Sequence, residues 1–208
     1  MASSLLLSLS LPDTNQNELK EEISEMKQLA LTLGYKIEQS IIQKRNTIDS
    51  STYFGKGKIN SIINQCKELN YNTLFINNEL NPGYFKRIQK LAGEKIFIID
   101  RTKLILDIFN NHARTVEAKK QVQLASIQYM MPRLIGQWTH LERQMGGIGT
   151  RGGPGEKQIE IDRRLLRKDI TKLKKDLTVI EKQKNTQRKS RNDIFKVAIA
   201  GYTNAGKS

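Results

Sequence analysis

Cysteine is nearly missing from this chain of 208 residues: Cys66 stands alone. An intramolecular disulfide is therefore impossible, and a reducing compartment is expected. Long apolar runs are missing as well, since no stretch approaches the ~20 consecutive apolar residues of a membrane span. The leucine-rich opening, residues 1–13, lacks a basic leading region, is interrupted by serines and offers no clean small-residue cleavage site. It reads as a first strand rather than a secretory signal, and the expected location is the cytoplasm. The two histidines, His112 and His140, lack the clustered partners of a metal site, so surface or packing roles are expected of them. Hydrophobic residues reach just 38%, which predicts elongated or surface-rich parts beside a compact unit.

What the chain has in excess is positive charge, and it lies in one half. Residues 1–100 carry 12 Lys/Arg against 11 Asp/Glu, whereas residues 101–208 carry 23 against 10. A net charge of +14 located this way points to a polyanionic partner, because cations displace condensed counterions from a phosphate backbone. A solvated, lysine-rich helical face is the plainer alternative. An anionic membrane surface fits less well, since no strongly apolar helical face accompanies the charge.

The first hundred residues alternate as an α/β unit. Residues 4–11 read as a strand closed by Pro12. Residues 18–33 read as a helix with Leu19, Ile23, Met26, Leu29, Ala30 and Leu33 on one face and Gly34 at its end. Extended chain is expected over 35–42, a helix over 59–69, a buried strand at 73–76, a helix over 83–92 and a last strand at 95–99. Strands separated by helices predict a mostly parallel sheet of about four strands.

From Arg101 onward the pattern changes. Leu124, Ile127, Met131, Leu134, Trp138 and Leu141 recur at spacings of 3 and 4, as do Leu166, Ile170, Leu173, Leu177 and Ile180. Each series is a coiled-coil seam. Between them lie residues 146–155, with six of the chain's 14 glycines. Two seams joined by one loop predict a long antiparallel helical hairpin, kinked at Pro132 where a backbone donor is lost. Arms of roughly 35–45 residues would reach about 50–65 Å at ~1.5 Å per residue. Gly146 suits the end of the first arm, and Pro154 with Glu156 the start of the second. Trp138 is expected in the seam rather than as a base-stacking platform.

Gly201, Tyr202, Thr203, Asn204, Ala205, Gly206, Lys207 and Ser208 form a complete Walker A sequence after an apolar strand at 195–200. Glycines let backbone N–H groups approach the α and β phosphates, Lys207 meets the β and γ phosphates, and the Ser208 hydroxyl ligates Mg2+. The glycine loop is longer than a helix-to-helix turn needs. Arg143, Arg151, Lys157, Arg163 and Arg164 gather around it, and arginines pair phosphates bidentately. An RNA-reaching tip is favoured over a connector. Gly55, Lys56, Gly57 and Lys58 read as a tight turn, with phosphate binding the less favoured alternative.

The stretch from Leu134 to Gln144, the glycine loop, and the run Glu156 to Arg164 together resemble the hallmark of the HflX family of GTPases. Asp100-Arg101-Thr102 and the run Ile105 to Phe109 are similar to that family's entry into the hairpin, and residues 201–208 to its first GTPase motif. The resemblance implies an α/β fold in three parts: a small domain over 1–100, a hairpin over 101–192 and the opening of a P-loop GTPase domain over 193–208. It implies GTP and Mg2+ as ligands, the large ribosomal subunit and its RNA as partner, action in translation, in ribosome rescue or splitting or in ribosome biogenesis, and a monomer. It also implies a longer parent protein, with this piece inactive alone as a catalyst. An RNA-bound hairpin without catalytic activity, and a different P-loop enzyme using ATP, remain as alternatives.

Overall fold

The computed structural model describes residues 2–136, 156–189 and residue 200. Four strands, β1 (Ala2–Ser10), β2 (Tyr35–Lys44), β3 (Thr73–Ile76) and β4 (Phe97–Asp100), form one sheet in the order β2-β1-β3-β4. All of its pairings are parallel. Strands β1 and β3 are buried on both faces, which is why they read as near-continuous apolar runs. Leu5, Leu7 and Leu9 of β1 join Leu74 and Ile76 of β3 against helices α2 (Lys56–Glu68) and α3 (Pro82–Ala92). On the other face Leu6 and Phe75 meet Leu19, Ile23 and Met26 of α1 (Gln16–Thr32) and Leu104 of α4 (Arg101–His112). The alternation of one strand thus divides the core into two layers.

Local signals set the helix boundaries. Asn15 accepts a hydrogen bond from Asn17 N at 3.0 Å, and Asn81 accepts one from Tyr84 N at 2.9 Å, with Pro82 in the first turn. Each satisfies an amide that the helix leaves unpaired. Gly34 follows α1 at φ 80°, a left-handed position that glycine adopts at little cost. Glu38 is the extra residue of a bulge in β2, because Ser4 pairs with Ile37 and Leu5 with Gln39.

Beyond the sheet the expected hairpin is altered. The first arm is two helices, α4 and α5 (Val116–Met130), followed by a 3-10 segment over Met131–Gly136. The break has a local cause: Ala113 is extended, and Thr115 accepts from Ala118 N at 3.1 Å to start a new helix. At Pro132 the chain tightens into 3-10 form rather than continuing as a kinked α-helix. The second arm is one helix, α6 (Glu156–Lys189), of 34 residues or about 51 Å at ~1.5 Å per residue. It runs antiparallel to α5, since Glu117 pairs with Lys184 and Lys120 with Asp176. Trp138, His140 and Leu141 of the expected first seam, and the glycine loop 146–155, lie outside the described residues.

Candidate nucleic-acid interface

Helix α6 holds twelve Lys/Arg and six Asp/Glu, and over residues 161–187 its two faces differ in which of them they carry. Leu166, Ile170, Leu177 and Ile180 are half-buried and Leu173 is buried, so the seam anticipated from spacing is the inner face. Asp162 and Asp176 also turn partly inward. Asp176 takes the Lys120 ammonium; chiefly through that hydrogen bond, its carboxyl is held below the usual range. The outer face is cationic. Arg164, Arg167, Lys168, Lys172 and Lys175, with Thr171 and, at one edge, the Lys120-paired Asp176, line a shallow open groove along the helix.

Their spacing follows from helix geometry. Arg164, Lys168, Lys172 and Lys175 advance by 4, 4 and 3 residues, which sets one cation per turn along a single side. Asp169 and Glu181 are the exposed carboxylates among residues 161–187. A row of cations at turn spacing, little offset by anions, suits the repeated charges of a phosphate backbone.

Of the RNA-contacting residues expected from sequence, Arg164 is exposed on this face and Arg163 is half-buried beside it. Lys157 belongs to α6, but its side chain lies outside the described residues. Arg143 and Arg151 lie outside them too, as do the strand residues 195–199 and the motif Gly201, Tyr202, Thr203, Asn204, Ala205, Gly206, Lys207 and Ser208. The reading by proximity to the loop passed over Arg167, Lys168, Lys172 and Lys175. Their signal was present in the complement of the seam: cations recurring at 3 and 4 on the side opposite the leucines.

The minor candidates are settled by local geometry. Gly55 caps α2 at φ 95°, and a Cβ there would lie 2.5 Å from Arg45 Nη1, which itself holds the Phe54 carbonyl at 3.1 Å. Lys56, Gly57 and Lys58 are therefore the first turn of α2, with Gly55 as its cap, rather than the tight turn expected before a helix starting at residue 59. His112 makes a 2.8 Å contact from Nδ1 to the Ile108 carbonyl at the end of α4. Among the described residues no group of three His, Cys, Asp or Glu could hold a metal, and no helix is long and apolar enough to cross a membrane.

Two family models match the chain in succession. Residues 20–110 match the GTP-binding GTPase N-terminal region, and residues 112–191 match the GTP-binding GTPase middle region. Its relatives include the GTPase HflX of Magnetococcus marinus, 41% identical over 98% of this chain, and that of Flavobacterium psychrophilum, 44% identical over 93%. The chain belongs to the HflX family. It spans about half the length of these HflX relatives, 47% of each. Among solved structures it is similar in fold to a GTP-binding protein of the archaeon Sulfolobus solfataricus in complex with GDP. The TM-score is 0.58 at 23% identity, covering 87% of this chain and 46% of that one. The N-terminal match spans most of the parallel α/β unit, and the middle-region match spans α5, the 3-10 segment and α6.

Proposed function

We propose that this chain is the ribosome-facing part of a GTP-binding protein that acts on the large ribosomal subunit in translation or ribosome rescue. Residues 1–100 form its α/β base, 101–192 a helical hairpin with a glycine-rich tip at 146–155, and 193–208 the opening of its GTPase domain. Arg143, Arg151, Lys157, Arg163 and Arg164 contact ribosomal RNA near the tip, and the outer cations of α6 extend that contact along the arm. Gly201 to Ser208 wrap the phosphates of GTP, Lys207 neutralises the β and γ oxygens, and Ser208 holds Mg2+. The protein acts as a monomer in the cytoplasm.

The observation that carries the reading is the segregation of charge on α6 in a chain of the HflX family. Its test is co-sedimentation of the chain with large subunits across a salt series. Binding that falls steeply with salt, and that weakens when Lys168, Lys172 and Lys175 are changed to Glu, is the expected result. Salt-independent binding, or equal binding by the triple variant, overturns the RNA assignment. For the nucleotide, Lys207→Ala in the protein extended through its whole GTPase domain is expected to abolish tight GTP binding, and Ser208→Ala to weaken its Mg2+-dependent part. Equal competition by ATP would favour a different P-loop enzyme.

A further inference from the structure

In open parallel sheets the carboxyl ends of the strands, where the connections reverse direction, form the crevice that usually takes a ligand. Here the reversal lies between β1 and β3, and the chain's own side chains occupy that edge. Asn77, just after β3, donates from Nδ2 to Glu22 Oε2 of α1 at 3.0 Å. Arg101 pairs with Glu25 and reaches Asn77 Oδ1 at 3.5 Å.

One strand further out, Asp100 closes β4 with its side chain fully buried. Its Oδ1 accepts from Lys103 N at 2.9 Å and from the Tyr129 hydroxyl at 2.8 Å. Its Oδ2 accepts from Leu80 N at 3.2 Å and faces Arg133 Nη2 at 3.8 Å. Arg133, 5% exposed, donates to the Tyr129 carbonyl at 2.8 Å and to the Leu80 carbonyl. Its guanidinium carbon stands 3.7 Å over the Tyr129 ring. Four parts of the chain therefore meet on one carboxylate: β4, the loop before α3, the start of α4, and the α5 segment with its 3-10 extension.

The two kinds of contact at this joint differ in what they specify. Apolar burial of Leu134 and Phe85 is non-directional and tolerates sliding. A water-excluded charge pair adds little net stability, yet any displacement strands a buried charge, so one arrangement is strongly preferred over its neighbours. The arm that starts here is long. By the register of Lys120–Asp176 and Glu117–Lys184, Tyr129 stands abreast of α6 near residue 167, so the end at Lys189 lies roughly 33 Å beyond it, and an error of about 10° would move that end by roughly 6 Å.

We propose that the Asp100–Tyr129–Arg133 cluster is a lock that sets the direction in which the helical arm leaves the α/β unit. The sheet's carboxyl edge is thereby the seat of the arm instead of a ligand crevice. This holds whichever partner the arm meets.

The test uses the full chain with spin labels at Lys36→Cys on β2 and Lys182→Cys toward the far end of α6, both exposed positions; Cys66, fully buried, stays native. Tyr129→Phe deletes the hydroxyl and keeps the ring, and Arg133→Lys keeps the charge and loses the fork. Each is expected to broaden or shift the inter-label distance by several ångströms while amides of β1 and β3 keep their exchange protection. Asp100→Asn combined with Arg133→Met removes both charges and is expected to do the same. A distance distribution as narrow as that of the parent, in any of the three variants, overturns the lock and assigns the arm's direction to packing shape. Loss of protection in the sheet together with the arm also overturns it, since the cluster would then hold the whole fold rather than aim one part.

Discussion

Cys66 and Gly55 report opposite things about single residues. Burial pushes the Cys66 thiol up to about 11, and the side chain is fully enclosed by α2 and the sheet. At pH 8 a maleimide should therefore react only through opening of the fold, at a rate that follows the denaturant-dependent population of open molecules; prompt stoichiometric labelling in buffer would contradict this burial. At Gly55 a side chain is excluded twice, by the left-handed backbone and by Arg45 Nη1. Gly55→Ala should cost about 1–3 kcal/mol, the range for a strained non-glycine residue, seen as a lower denaturation midpoint, whereas Gly57→Ala, with open space around it, should not share the penalty. The sequence pattern reads as a turn at 55–58, where α2 begins, and the Arg45 contact that a side chain at 55 would disturb was not legible either, because it links positions ten residues apart through a loop.

Between elements, the α5–α6 pairing involves one carboxylate with depressed titration. Asp176 is held down mainly by the Lys120 hydrogen bond. A carboxyl whose folded pKa is lowered contributes stability above its unfolded pKa and loses it as pH falls through the folded value. Asp100 has the opposite sign: desolvation raises it, so its contribution is full below the ordinary carboxyl range and is lost as pH rises through the raised value. Carboxyl-carbon NMR titration should find Asp176 below the usual range, and Lys120→Met should return it toward that range. No movement in that variant would mean the pair is not formed in solution. The seam of α6 was legible because leucines recurring at 3 and 4 report one face directly. The break before Val116 was missed although Asn110, Asn111 and His112 are weak helix formers and Thr115 is a preferred cap, because such residues also occur inside helices and the interruption depends on Thr115 capping a helix that turns away to meet α6.

At the scale of the whole molecule the expected behaviour is electrostatic. If α6 tracks phosphates, the logarithm of the affinity for large subunits should fall linearly with the logarithm of salt. Each lost contact among Lys168, Lys172 and Lys175 should then lower the slope by about one. Charge reversal that leaves the slope unchanged would remove these residues from the interface. The sequence by itself determined the parallel α/β unit, since strand and helix periods are local and their alternation leaves few topologies. It also determined HflX-family membership, because that resemblance rests on contiguous runs of residues. The tertiary structure alone decided that Asp100, Tyr129 and Arg133, up to 33 positions apart, converge on one buried point. It also decided which cations face solvent and which acids turn inward. Local pattern specifies which face of an element is apolar, but not the neighbour it is buried against. A buried charge takes its meaning from that neighbour, because its free energy is set by the partners and the water left around it.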